Sequence, residues 1–278
     1  MELLEKKDYY KLIEPLQKVT FNCLFAYAVI EQKVAGKVYV DNMNNPQTYY
    51  IVHPYGLSLL FGDNNNIDFN QKFLDYSLNV NQVRKNYEWL HAYPSDWDNV
   101  LFKLYGDKLI QSSENTKNKG KKIELHTRIN FQFSYQKHQK YKINNLSILA
   151  PNLQIVRTDE SIIKNIKGSV IPTHYWNNEQ DFFNDGVGFS ILYKNKPVST
   201  AFSAYIKDNK LGIGIETAEK FRKRGFAERV CSALINYCIE NEFEPVWSCR
   251  IENIGSYELA KKIGFVPIFN TPCYRLCL

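Results

Sequence analysis

Apolar and polar positions change their spacing several times along this chain, and each change predicts an element. Leu211 to Thr217 is a short apolar run with the length of a buried strand. It enters a charged turn, Lys220-Phe-Arg-Lys-Arg. From Gly225 the spacing becomes helical. Ala227, Val230, Cys231, Leu234, Ile235 and Cys238 recur three and four apart and form one apolar face. Glu228, Arg229, Asn236 and Glu240 lie largely off it. Glu244-Pro245 closes the segment, and Val246 to Cys249 reads as a single buried strand. Asn253 then opens a helix that stops at Gly264.

Upstream, the spacing predicts a helix over the first 20 residues, with Pro15 interrupting it. Val19 to Gln32 is helical or a buried strand. Lys37–Asp41, Thr48–Val52 and Leu57–Gly62 predict an antiparallel meander, separated by Asn42–Pro46 and His53-Pro54. Helices are expected from an Asp68 cap to Leu78, over Asn81–His91 and over Trp97–Leu104. Lys108–Lys122 reads as an exposed lysine-rich loop, and Lys122–Ser134 alternates as a strand. Gln136–Lys142 is basic and lacks a core pattern, so a domain boundary is expected around 136–150, dividing the chain into 1–143 and 144–278. Strands are then expected at Leu153–Arg157, Val187–Tyr193 and Pro197–Ile206, with helices at Glu160–Lys167 and Glu179–Phe183.

With 278 residues, two ordinary domains fit. Hydrophobic residues at 44% supply a core, so the class is globular α/β, of the α+β kind. A net charge of +6 suits an anionic ligand, which coenzyme A and nucleic acid both are. The N-terminus lacks the pattern of a signal peptide, and Phe21–Ile30 is about half the length of a membrane span. The expectation is a cytoplasmic protein without a membrane partner. Six cysteines without a Cys-x-x-Cys pair read as structural thiols, and no metal site is expected.

The strand–turn–helix junction carries the candidate chemistry. First-turn N–H groups of a helix lack intrahelical partners, and the dipole adds positive charge there. Arg222, Lys223 and Arg224 add three cations, while Gly225 and the small Ala227 let a ligand approach the backbone. A diphosphate fits such a place; so does a plain solvated basic turn.

Two motifs in order resemble the GNAT superfamily of acetyl-CoA-dependent N-acetyltransferases. One is Arg222-x-x-Gly225-x-Ala227. The other is Asn253-x-x-Ser256, then Lys262-x-Gly264-Phe265. The runs Gly186-Val-Gly-Phe-Ser, Val198-Ser-Thr-Ala-Phe-Ser and Pro245-Val-Trp-Ser-Cys-Arg narrow the resemblance to a bacterial branch of two-part GNAT proteins that includes resistance acetyltransferases of the zwittermicin type. The resemblance implies a GNAT fold over 144–278: a mixed, mostly antiparallel central sheet flanked by helices, with central strands that splay. It further implies that the N-terminal part is a smaller, degenerate GNAT-like α+β domain, although no internal repeat is visible.

By the same resemblance acetyl-CoA is the cofactor. Backbone groups near Ile215 and Thr217 would hold its pantetheine and acetyl end. Amides of Lys223, Arg224, Gly225, Phe226 and Ala227 would hold its diphosphate, with Arg222 bracing the turn. Asn253 and Ser256 would contact the cofactor, cap their helix, or both. Glu216 is a candidate base; its alternative is an ion-paired glutamate at a strand end. Many GNAT enzymes place a tyrosine acid where this chain has Ala260, and Tyr257 one turn earlier is the substitute. His174, Tyr175 and Trp176 fall where the family closes over its acceptor. The implied function is direct acetyl transfer to a primary amine of a small molecule. The alternatives are transfer to a protein N-terminus or lysine, or an inactive GNAT-derived binding module. Nucleic acid is a disfavoured partner, and a homodimer is left open.

Overall fold

The computed structural model of the protein describes residues 1–111, 123–145 and 153–278. The chain divides into two compact units. The first holds Met1–Ile129, Arg250–Glu252 and Asn270–Leu278; the second holds Asn130–Cys249 and Asn253–Phe269.

In the first unit the predicted meander forms. Lys37–Val40, Thr48–Val52 and Leu57–Gly62 pair antiparallel in succession. Residues 81–91 differ from the helix expected there. Glu88–Tyr93 is a strand, parallel to Leu57–Phe61 and antiparallel to the last residues Tyr274–Leu276. A turn replaces the preceding residues, because the Asn79 side chain accepts from Arg84 N–H at 2.9 Å and donates to Arg84 C=O at 3.1 Å. Helix Ile67–Ser77 is capped by Asn66, whose side chain accepts from Phe69 N–H at 3.0 Å, and not by Asp68. Of the expected lysine-rich loop, Lys108 ends the 3-10 turn Gly106–Lys108 and Leu109–Gln111 is a strand parallel to Ile123–Leu125; residues 112–122 lie outside the described residues. Helices Ile67–Ser77 and Asp96–Tyr105 bury Phe69, Phe73, Trp97, Leu101 and Tyr105 against the sheet residues Tyr50, Leu60, Leu90 and Tyr274.

His53 and His91 are buried in this unit. Burial lowers the His53 pKa to about 3 and holds His91 well below its usual value. An unfolded chain protonates both near pH 6.5. Below that pH the unfolded state therefore binds more protons, and stability falls as pH falls, by about 1.4 kcal/mol per pH unit for each histidine. Burial raises the Glu88 carboxyl, which acts in the opposite sense as pH rises above the ordinary carboxylate range. Urea unfolding followed from pH 6.5 to 4.5 should show the fall. His53→Asn, which keeps an acceptor for Tyr55 N–H, should reduce its slope.

The second unit is built on a five-stranded sheet in the order Glu244–Val246, Lys210–Thr217, Lys196–Lys207, Gly188–Tyr193, Leu153–Arg157. All its pairings are antiparallel except that of Lys210–Gly212 with Glu244–Val246. Helix Phe226–Glu240 lays the predicted face on this sheet; Val230, Cys231, Leu234, Ile235 and Cys238 are fully buried. Burial pushes the Cys238 thiol up to about 12, so the thiol packs as a small apolar group. Residues 136–142, without a core pattern in sequence, lie in the helix Tyr135–Asn145. There His138 is fully buried and its Nδ1 lies 2.8 Å from Ile263 C=O. A polar side chain with a backbone partner can occupy a core position that hydrophobicity alone does not reveal. No described helix is long and apolar enough to cross a membrane.

Candidate active site

Strand Lys210–Thr217 positions the site. One edge is paired along its length, from Lys210↔Lys207 to Thr217↔Ser199. Among the described residues the other is paired only at Lys210, Leu211 and Gly212. Beyond Val246 the chain leaves this neighbour, and Trp247 C=O accepts from Phe131 N–H at 3.2 Å. The single strand expected over Val246–Cys249 is therefore two, Glu244–Val246 and Ser248–Arg250, broken at Trp247. The Trp247 ring is buried against Phe265, and its Nε1 donates to Ser256 Oγ at 3.2 Å. Anchoring that large ring draws the chain off the sheet.

Ile213 to Thr217 thus have no strand neighbour on that side among the described residues. Ala218 N–H donates to Val198 C=O at 2.9 Å, toward the paired edge. Backbone groups alternate in a strand, so those of Ile215 and Thr217 face the open edge. Thr217 is already engaged: its N–H donates to Glu216 Oε1 at 3.2 Å and its C=O accepts from Arg222 Nε at 3.0 Å. Ile215 is the next group along that edge.

The turn that follows brings the cations to the helix start. Lys223 has φ 60° and Gly225 has φ 77°, ψ 6°, in the left-handed region that suits glycine. Helix Phe226–Glu240 opens on Gly225 with no side-chain cap. A Cβ built on Gly225 meets no described atom within 4 Å, so among the described residues the space before the helix is open. The first-turn acid, Glu228, is held elsewhere, accepting from Lys262 Nζ at 2.8 Å and Tyr141 OH at 3.3 Å. Phe221 stacks on Phe226 with centroids 6.1 Å apart, and the Arg224 guanidinium lies 5.3 Å from the Phe221 centroid. Lys223 and Arg224 are exposed. The Arg222 side chain is 60% exposed and pairs with Glu216 at 3.4 Å.

Asn253 caps helix Ile254–Lys262, accepting from Ser256 N–H at 3.3 Å. Ser256 Oγ is the acceptor for Trp247. Tyr257 is half-buried beside Phe131, centroids 5.8 Å apart, with Lys261 Nζ 5.0 Å from its ring. His174 is exposed, its Nδ1 2.9 Å from Ser169 C=O. Tyr175 and Trp176 are buried; Trp176 Nε1 donates to Ser203 C=O at 2.9 Å. Sequence reasoning missed the partners of Glu216 in the loop Gly168–Val170. Their separation in sequence leaves no local signal.

A profile of the GNAT acetyltransferases matches residues 15–274. The chain belongs to the GNAT acetyltransferase family. As a GNAT protein it is an acyltransferase, of the α/β fold class expected. It is 29% identical over 276 residues to a Bacillus subtilis (strain 168) protein described as uncharacterized N-acetyltransferase YdfB, covering 98% of this chain and 97% of that one. In fold it is similar to a GCN5-related N-acetyltransferase-like protein from Streptococcus suis 89/1591, with TM-score 0.68 and 18% identity over 97% of this chain and 99% of that one. A tandem GNAT protein from the clavulanic acid biosynthesis pathway has TM-score 0.60 and 6% identity, covering 97% of this GNAT chain and 93% of its own.

GNAT enzymes generally use acetyl-CoA, and the chemistry here fits its diphosphate. The helix start is uncapped and open, the cations are exposed, and the nearby acid is taken up by other partners.

Proposed function

We propose that this GNAT protein transfers the acetyl group of acetyl-CoA to a primary amine of a small molecule, directly, with both reactants bound together. The observation that carries the reading is the open edge of strand Lys210–Thr217 leading straight into an uncapped helix start. Acetyl-CoA supplies an activated thioester. Amides at the Gly225–Ala227 turn would bind its diphosphate, aided by Lys223 and Arg224, with Arg222 bracing the turn through Thr217. Ile215 would present backbone groups to the pantetheine and acetyl end, and an N–H there would donate to the oxygen that gains charge. Asn253 and Ser256 would keep the second helix and Trp247 in place beside the opening. Much of the rate would come from holding amine and thioester together.

Tyr257 is the proposed acid. Tyr257→Phe should lower turnover at least ~10-fold and leave the dissociation constant of coenzyme A within ~2-fold, because general acid catalysis contributes about 10² or more where it operates. Unchanged turnover would remove Tyr257 from the chemistry. The first unit is read as a degenerate GNAT-like partner, which the fold similarity to a tandem GNAT protein supports.

Calorimetric titration with acetyl-CoA tests the cofactor. Absence of binding at millimolar ligand would favour a GNAT-derived binding module. Thiol release from acetyl-CoA across a panel of small amines, aminated antibiotics and peptides then tests the acceptor. Release with peptides alone would move the acceptor to a protein N-terminus or lysine.

A further inference from the structure

Glu216 is tied down more completely than a strand-end carboxylate requires. Its Oε2 accepts from Ser169 N–H at 2.9 Å, Val170 N–H at 3.1 Å and Ser169 Oγ at 3.4 Å. Its Oε1 accepts from Thr217 N–H at 3.2 Å and from Arg222 at 3.4 Å. The side chain is only 10% exposed, although Arg222 and Ser169 lie at the surface. Gly168 has φ +150°, and a Cβ there would fall 2.4 Å from the Glu216 carboxyl carbon. The loop backbone therefore lies directly on this carboxylate and leaves no room for a side chain.

Two structures meet on one side chain. The first is the loop Gly168–Val170, which leads into Pro172–His174. The second is the end of the central strand with Arg222, the first cation of the cofactor turn. A carboxylate surrounded by five donors has no lone pair left for an incoming ammonium. It can instead transmit position. A shift of Arg222 toward a bound diphosphate would change what Oε1 must satisfy, and Oε2 would carry that change to the loop.

We propose that Glu216 is a positioning residue that latches the loop Gly168–Val170 to the cofactor turn and couples the order of that loop to occupation of the turn. The two oxygens serve different partners. Oε2 holds the loop; Oε1 holds Thr217 and Arg222. The inference rests on the cofactor reading above only for its coupling half; the latch stands on the free protein.

Hydrogen–deuterium exchange of the full chain, with and without coenzyme A, separates the two halves. In the free wild-type protein the Ser169 and Val170 amides should be protected. Glu216→Ala should reduce that protection at least ~10-fold, since it removes charge-assisted acceptors from both amides. Glu216→Gln should stay within ~3-fold of wild type, because its one carbonyl oxygen can still accept from the loop. Coenzyme A should slow exchange at 168–170 further in the wild-type protein. It should bind Glu216→Gln without doing so, because an amide NH₂ cannot accept from Arg222. Equal protection in wild type and Glu216→Ala would overturn the latch. Coenzyme A protecting the loop equally in wild type and Glu216→Gln would overturn the coupling. If wild-type protein failed to bind coenzyme A, the cofactor reading and the coupling would fall together, and the free-protein comparison would still decide the latch.

Discussion

Gly225→Glu should weaken coenzyme A binding at least ~100-fold, a loss of about 3 kcal/mol. No described atom lies within 4 Å of a Cβ at Gly225, so the new side chain has room, although φ 77° strains any residue with a Cβ. The larger effect on the ligand is its charge. A carboxylate about 4 Å from a diphosphate oxygen, in a setting of effective dielectric near 20, costs roughly 4 kcal/mol. It would also fold back onto the uncapped amides of the helix start and compete with the ligand there. Gly225→Asn is the control. Asparagine tolerates φ 77° better than other side chains and brings no charge, so binding should stay within ~5-fold of wild type. Arg222→Ala should fall between the two, at about 10-fold, because it removes one exposed cation and the brace on Thr217 C=O. Calorimetric titration reads all three. Wild-type affinity in Gly225→Glu would mean that the diphosphate sits elsewhere.

Arg84→Ala should destabilise the first unit by about 3–5 kcal/mol, the range for stripping a buried charge out of its network. Arg84 is 5% exposed and its guanidinium is spent entirely on backbone carbonyls. Nε donates to Tyr76 at 3.1 Å. One terminal nitrogen donates to Asn86 at 3.3 Å and Leu276 at 2.9 Å, the other to Ser77 at 2.7 Å and Cys277 at 2.8 Å. The arginine thus ties the end of helix Ile67–Ser77 to the last residues of the chain, within one unit. Removing it takes a donor from five carbonyls; Tyr76 C=O keeps the Asn79 N–H at 3.0 Å, and a buried carbonyl left without any donor costs more than the bond itself was worth. Nearby Glu88 would also lose a compensating charge; its carboxyl accepts from the hydroxyls of Tyr50 and Tyr76. Arg84→Lys should recover less than half of the loss, since three donors on one nitrogen cannot reach the spread of acceptors that a planar fork spans. Urea unfolding of the three proteins measures this. A change under about 1 kcal/mol for Arg84→Ala would show that the network relaxes without cost.

Local patterns were legible wherever burial and period agree. The three-strand meander, the apolar face of helix Phe226–Glu240 and the strand at its start follow from side-chain spacing, because a strand or helix with one buried face must repeat its apolar residues at its own period. The motif Arg222-x-x-Gly225-x-Ala227 was equally local, since one turn of backbone contains all of it. Where the structure adds to or departs from these patterns, contacts distant in sequence are the reason. Residues 81–91 contain helix formers, yet 88–93 pairs as a strand with partners far away in sequence, and tertiary pairing outweighs weak propensity. Residues 136–142 show no apolar stripe because His138 fills a core position with a polar ring.

The amino-acid sequence by itself determined the family, the meander, the basic glycine-containing turn and the charge that surrounds it, because each depends on patterns within short stretches of chain. Tertiary structure alone decided three things. It broke the run after Val246 at Trp247 and so opened one edge of the central strand. It brought Gly168–Val170 onto Glu216. It carried the last residues of the chain to Arg84. Each joins positions distant along the chain, and a one-dimensional spacing carries no record of such pairs until burial and hydrogen bonding select them.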